Sequence, residues 1–410
     1  MSSVASVAEI RSHFPALQRT CNGLPVAYFD GPGGTQVPRA VAAAMNDYLL
    51  NHNANTHWDF PSSHETDAAL LAARQALADW LGGAPQEIVF GANMTTLTFH
   101  LGRALGRAWK PGDIVVVTEL DHHANSDTWR ALARERGVEI RTIRMRREDG
   151  RLDEDDAAAK LTAGVKLLAL GAASNALGTI NDVERLTTRA HAVGARVFVD
   201  GVHFASHQMP DVRAFGCDFF ACSAYKFYGP HVGVLWGRRE MLEALDPPKL
   251  GPAPRSAPEL LETGTLNHEG IVGAGAAIEF LASLAADGAT RRARLQRVSD
   301  ALHERGAQLL AQLWNGLAAI PGVRLYGPPP GTARTATLSF TVRGHESAAV
   351  AASLAARGVF LSHGDFYATT AVRVLGHEHD GLVRAGCAAY TTGEEIERLL
   401  DGVRQLADAA

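Results

Sequence analysis

A lysine and an aspartate stand at the ends of two successive apolar runs. In RVFVDGVHFASH, Asp200 closes the run Val197-Phe198-Val199, and in CDFFACSAYKFYGP, Lys226 lies just past Phe219 to Ser223. A charge set at the end of a buried run is costly unless paired, so the plain reading is an ion pair joining two strand ends. Their company argues for chemistry instead. Ser223 lies three residues before the lysine, Thr95 and Thr96 open a helical segment, and His122 follows another apolar run. Hydroxyls and free amides at a helix start cradle a phosphate, and an imidazole can lie flat on a ring. A carboxylate can keep a pyridine nitrogen protonated, and a lysine amine can condense with an aldehyde. Together these are the parts of a pyridoxal 5'-phosphate site.

These groups converge only if the elements carrying them form one sheet. From about residue 88 the chain alternates short β-branched runs with segments of helical periodicity, the pattern of a parallel sheet covered by helices. Strands are expected at Ile88-Phe90, Asp113-Thr118, Val138-Met145, Lys166-Leu170, Arg196-Asp200, Phe219-Ser223 and Gly233-Trp236. Helices are expected at Thr96-Ala108, Asn125-Arg136 and Asp182-Val193. Runs apolar on both faces suit a sheet buried on both sides, whose sites gather at the carboxyl ends of its strands. A proline-rich loop from Asp246 to Pro258 leads to a long helical stretch, Gly270 to Gly316. Strands at Val323-Tyr326, Thr337-Val342 and Leu382-Ala388 and a helix at Ser347-Ala356 then make a smaller α+β unit. The expected division is a large cofactor-binding domain over 31-280 and a small domain made of 1-30 with 281-410. The polar segment Asn51 to Glu65 reads as a loop, with His57 and Trp58 as candidates for a substrate-facing wall.

Composition narrows the partners. The 410 residues are 46% hydrophobic, enough for sizeable cores, and the net charge of −5 recommends neither nucleic acid nor an anionic membrane. Glu9 and Arg11 interrupt any signal peptide, and Glu279 breaks the longest apolar run, so neither export nor a membrane span is expected. Four cysteines without metal-site or disulfide-scaffold spacing point to the reducing cytoplasm. A small molecule is the expected partner.

Eight ordered stretches carry a resemblance that covers nearly the whole chain: YFDGPGGT, MTT at Met94, ELDHHAN at Glu119, SNALGT at Ser174, VDGVH at Val199, SAYKFYGP at Ser223, TGTLNHEGIVGAGAAIEF at Thr263 and VRAG at Val383. In these the chain resembles the class V aminotransferase family of fold type I pyridoxal phosphate enzymes, and most of all the cysteine desulfurases and selenocysteine lyases. The resemblance implies an α/β fold with a mostly parallel seven-stranded sheet and a smaller α+β domain. It implies that Lys226 holds the cofactor covalently and later moves the substrate's α-proton, that Asp200 partners the pyridinium nitrogen and that His122 stacks on the ring. Thr95, Thr96 and Ser223 resemble the phosphate ligands. Thr265 resembles the threonine that reaches the neighbouring subunit's phosphate, which implies a homodimer with shared sites. Asn175 resembles the residue near the ring hydroxyl and the substrate, and Arg384 the clamp on an amino acid's α-carboxylate.

The departures matter too. Desulfurases carry a cysteine on a loop before the last strands, and the corresponding stretch, Gly358 to Gly376, has none. Tyr367 falls nearest that position, with His363 and Asp365 beside it and Ser362 in place of an arginine, so His363 and Tyr367 become candidate substrate contacts. His203 replaces a glutamine near the ring hydroxyl and is expected to tune the cofactor's O3′. Tyr225 replaces a histidine and keeps a donor. Cys222 and Cys387 are expected to face away from the crevice by strand alternation. The expected function is a carbon-sulfur or carbon-selenium β-lyase that forms no persulfide. The alternatives are an aminotransferase or epimerase of the same family and, from another class, a protein that binds pyridoxal phosphate without turnover.

Overall fold

The computed structural model describes residues 4–408; residues 1–3 and 409–410, which fall in the expected small domain, lie outside the described residues. Seven apolar runs build one sheet: β1 (Ile88–Gly91), β2 (Ile114–Thr118), β3 (Glu139–Ile143), β4 (Val165–Gly171), β5 (Arg196–Asp200), β6 (Phe219–Ser223) and β7 (Gly233–Gly237). Their spatial order is β1-β7-β6-β5-β4-β2-β3. β7 runs against both of its neighbours, and the other pairs are parallel.

Alternation along each strand feeds two cores. Val197 and Val199 enter one, and Phe198 enters the other. Each such side chain stabilises the fold by roughly 1.5–3 kcal/mol when fully buried. Helices Met94–Gly106 and His123–Arg136 close one face with Leu97, Leu101, Trp129 and Leu132. Helices Pro61–Leu81, Val183–Ala192 and His268–Ser283 close the other. With both faces covered, the carboxyl ends of the parallel strands are where polar side chains can gather.

A second sheet follows, with β8 (Val323–Tyr326), β9 (Thr337–Val342), β10 (Ser362–Gly364) and β11 (Leu382–Gly386) antiparallel in the order β8-β9-β11-β10. Its register sets Arg384 between Ser339 and Ser362. Near the start of the chain, Ala27–Tyr28 pairs in parallel with Val359–Phe360.

Three expectations change. The stretch Gly270 to Gly316 is two helices, His268–Ser283 and Arg291–Ala318, because Gly288 takes φ 149° and Thr290 caps the second helix through the N–H of Ala293. The polar segment from Asn51 begins inside a short π-helical turn, Tyr48–His52, and is a loop only from Asn53 to Phe60, since Pro61, suited to a first helical turn, opens a 21-residue helix. The stretch Gly358 to Gly376 is not one loop; it holds two short strands, a tight turn and the helix Thr369–Val374. No helix among the described residues is long and apolar enough to cross a membrane.

One largely buried ion pair ties the sheet edge to the segment before Thr263. Glu262 accepts from Arg74 at 2.8 and 3.0 Å and from the Phe90 N–H at 2.8 Å, while the Arg74 guanidinium lies 4.9 Å from the Phe90 ring centroid. Removing one partner strands the other charge. Glu262→Ala is expected to lower the unfolding free energy by about 3 kcal/mol, with Glu262→Gln losing less. Urea unfolding checks this, and equal losses in the two variants would remove the charge from the argument.

Candidate active site

Two adjoining cavities of about 620 and 630 Å³ lie at the carboxyl ends of β4, β5 and β6. Thr95, His122, Asn175, Tyr225 and Lys226 line both, which makes them one site. Lys226 sits in a short 3-10 turn after β6, and its amine donates to the carbonyls of Pro32 and Gly33. Burial, then the positive charge of Arg384, push its pKa down to about 7 against the pull of Asp200 and Asp30. Asp200 ends β5 and accepts from the Val202 N–H at 3.0 Å. Burial lifts its carboxyl to about 6, with that hydrogen bond and Lys226 opposing.

His122 caps helix His123–Arg136, its Nδ1 accepting from the Ala124 N–H at 3.0 Å. Burial, then Lys226, lower its pKa to about 4, so at neutral pH it is an uncharged ring with its proton on Nε2. Such a ring can stack without bringing a cation into the site.

The helix Met94–Gly106 points its start at the same cavity. Asn93 caps it by accepting from the Thr96 N–H, and the Met94 N–H donates to the Ser223 hydroxyl at 3.1 Å. A Cβ on Gly233 would lie 2.4 Å from the carbonyl carbon of Asn93, so only glycine lets β7 pass beneath this turn. Thr95, Thr96 and Ser223 line the cavity at the positive end of the helix dipole, a place suited to an anion.

On the substrate side, Arg384 is buried, donating to the Asn175 carbonyl at 3.0 Å and to Ser362 Oγ at 3.4 Å. Asn175 Nδ2 donates to the Phe366 carbonyl. Tyr225 stacks on His231 with centroids 4.8 Å apart and lies 5.1 Å from the Lys226 amine. His203 is buried, its Nε2 meeting the Thr335 hydroxyl at 3.1 Å. Tyr367 lines the outer cavity and stacks on His122, with centroids 5.5 Å apart.

Some expected residues are not brought here. His363 is exposed and absent from both cavity walls; β10 turns Ser362 toward Arg384, so alternation turns His363 away. His57 and Trp58 line a separate groove rather than this site, and Thr265, expected at the neighbouring subunit's phosphate, lies in that groove and in another.

Other site residues escaped the sequence reading. Asp121, inside the ELDHHAN stretch, accepts from the Gly171 N–H at 2.6 Å; burial, then the charge of Asp200, raise it to about 8, so it is a neutral acid at pH 7. Asp30, in YFDGPGGT, is raised by burial and lies within the fields of Arg384 and Lys226. Phe366 covers the Arg384 guanidinium, 4.2 Å from ring centroid to Cζ, and Phe99 joins the outer wall. The signal for Asp121 was its place just past β2, next to His122.

Pyridoxal phosphate fits this donor set. His203 Nδ1, Asn175 Oδ1, Asp121 Oδ2 and Arg384 Nε are buried with no partner, although their residues line these cavities. Buried polar atoms are seldom left unpaired, so they call for a polar occupant. The helix start suits its phosphate, Asp200 its ring nitrogen and Lys226 its aldehyde carbon.

None of the four cysteines lines either cavity. Cys21 is half-buried; Cys217, Cys222 and Cys387 are buried, and burial pushes all three thiols up, Cys387 to about 12. None of these three is a thiolate near neutral pH.

A lysine amine with pKa near 7 is neutral above that pH and charged below it. In cofactor-free protein, borohydride trapping of pyridoxal phosphate on Lys226 is expected to rise several-fold between about pH 6 and 8 and then level off, whereas an ordinary lysine gains only toward about pH 10. Peptide mass mapping of the label reads this out, and an ordinary lysine profile at Lys226 would refute the depressed pKa.

The Aminotransferase class-V family matches residues 27–399. A cysteine desulfurase of Pectobacterium carotovorum is 32% identical over 98% of this chain and 98% of its own. A probable cysteine desulfurase of Xylella fastidiosa is 33% identical over 95% of this chain and 93% of its own. Among solved structures, the apo cysteine desulfurase of Thermococcus onnurineus NA1 has a TM-score of 0.91 at 29% identity over the whole of both chains. The cysteine desulfurase CsdA of Escherichia coli, in its S-sulfonic acid form, has a TM-score of 0.85 at 29% identity over 99% of each. The chain therefore belongs to the class V aminotransferase family and is a pyridoxal phosphate-dependent enzyme of the lyase type with the fold type I architecture.

Proposed function

We propose that the enzyme is a β-lyase for cysteine or selenocysteine derivatives that turns over without a protein persulfide. One observation carries the reading: the segment closing the outer cavity offers Phe366 and Tyr367 and no thiol, while every cysteine stands elsewhere. A desulfurase needs a thiolate to take sulfur from its substrate. Elimination needs none: an S-substituted cysteine and water give the thiol, pyruvate and ammonia, with no net oxidation.

Pyridoxal phosphate, when bound, supplies the electron sink for the charge left at Cα. The chain's residues do the rest. Arg384 takes the substrate carboxylate at its unpaired Nε edge, with its other nitrogens fixed by Asn175 and Ser362. Lys226, with its low pKa, accepts the α-proton near neutral pH. Asp200 holds a proton on the ring nitrogen, and neutral Asp121 adds no second negative charge beside it. His203 offers its free Nδ1 to the ring hydroxyl. His122 keeps water from one face of the ring.

Two further points belong to the same proposal. The groove lined by Thr265, His57 and Trp58, with Leu71 and Leu250 exposed beside it, is covered by a second copy, which makes the enzyme a homodimer. The chain divides into a large unit, 31–280, and a small one, 1–30 with 281–410, and the pairing of Ala27–Tyr28 with Val359–Phe360 supports this.

The holoenzyme with S-methyl-L-cysteine is expected to release methanethiol, pyruvate and ammonia in equal amounts. No cysteine should carry extra sulfur by intact mass after one turnover with L-cysteine. Alanine formed together with a persulfide on any of the four would overturn the reading. Asp200→Ala should lose at least about 100-fold in kcat while keeping cofactor; near-normal turnover would make Asp200 structural. Sedimentation of a fully active monomer would refute the dimer.

A further inference from the structure

Phe366 and Tyr367 both take left-handed backbone, φ 57° and 55°. For bulky side chains this conformation costs about 1–2 kcal/mol each, so two in succession require something to hold them. The structure supplies it. Asp365 accepts from the Tyr367 N–H at 3.0 Å and from the Thr369 hydroxyl at 2.7 Å, and its carbonyl accepts from the Ala368 N–H. The Tyr367 carbonyl accepts from the His123 N–H at 2.7 Å, and the Phe366 carbonyl accepts from Asn175. The turn is thus fastened to the large sheet's own helix and loop, and it holds two rings in fixed places.

Those places define a wall. Phe366 covers Arg384, its ring centroid 4.2 Å from Cζ, and Tyr367 continues outward over His122. Tyr367 is 72% exposed and Phe99, on the same cavity, 37%. Pro32 and Gly33 complete the surround. The acid at the rim, Asp127, accepts from His123 at 2.9 Å, and its negative charge disfavours a carboxylate on a substrate's side chain. Rings held rigidly and left exposed beside a carboxylate clamp present unused apolar surface to whatever the clamp holds.

We propose that Phe366 and Tyr367 determine specificity, selecting amino acids whose β-sulfur or β-selenium carries an uncharged apolar group, alkyl or aryl. This rests on the lyase reading above. Sulfur meets aromatic edges favourably, and an apolar substituent gains the area the rings offer, whereas a carboxylate there would lose water without a partner.

The test compares S-benzyl-L-cysteine, S-methyl-L-cysteine, L-cysteine and S-carboxymethyl-L-cysteine by kcat/KM. Binding of L-norleucine and L-aspartate, which lack a leaving group, is read from the visible spectrum of the holoenzyme. S-benzyl-L-cysteine is expected to lead both L-cysteine and S-carboxymethyl-L-cysteine by at least about tenfold, and norleucine to bind tighter than aspartate by a similar factor. Phe366→Ala and Tyr367→Ala should each shrink these ratios by about tenfold, and Phe366→Leu, which keeps an apolar wall, by much less. Equal handling of charged and apolar substituents, or ratios unmoved in both alanine variants, would overturn the proposal. Norleucine preference without keto acid from any substrate would instead refute the lyase reading while leaving the wall's selectivity standing. Keto acid released without discrimination would do the reverse.

Discussion

The site depends on keeping a lysine amine out of water beside an arginine. Lys226 and Arg384 are both buried, and each loses charge stabilisation to burial; the arginine falls to about 10 and the lysine to about 7. The arginine keeps its charge at any ordinary pH, so the lysine is the group that yields. Asp200 and Asp30 pull the other way, but Asp200 is itself raised by burial and answers only in part. The arrangement trades stability for a neutral base, and the apolar strands on both sides of the sheet must offset it.

That trade explains the layout around it. The ionisable groups gathered at this cavity cannot all be charged together, and the chain eases the conflict by neutralising Asp121 and His122. Gly171 serves the same end: a Cβ there would lie 2.6 Å from Asp121 Oδ1, where its own N–H now donates. A neutral Asp121 beside Asp200 leaves one carboxylate, not two, to carry charge there.

Much of this was legible in the sequence because the sheet is buried on both faces. Its strands read as unbroken apolar runs, so all seven could be placed, and the polar residues at or just past their ends, Asp200, Ser223 and His122, stood out. Lys226 was legible for the same reason. Asp121 was harder, since nothing in ELDHHAN separates an acid that faces the cavity from one that faces solvent. His363 misled because β10 is three residues long, too short for alternation to be read in a segment without an apolar pattern. Tyr367 was singled out by the resemblance, but Phe366 and the backbone of both were not legible: left-handed backbone at two bulky residues contradicts local preference and is held by the adjacent Asp365 together with His123 and Asn175 from distant parts of the chain. The break at Gly288 was lost among alanines for a related reason, good helix propensity on both sides masking one cap.

The turn at Phe366 also bears on why a thiol is absent. A group that must attack a substrate's sulfur and then carry the product away needs freedom to move, while this turn is fixed at both ends and strained in the middle. Strain of that kind persists only where the surroundings over-determine the backbone, and here they do so through five hydrogen bonds spread over Asp365, Ala368, Tyr367, Phe366 and Thr369. A rigid aromatic turn suits a wall and not a carrier. On the proposed elimination, sulfur would leave this site outward as a free thiol, along the wall that the same bonds hold in place.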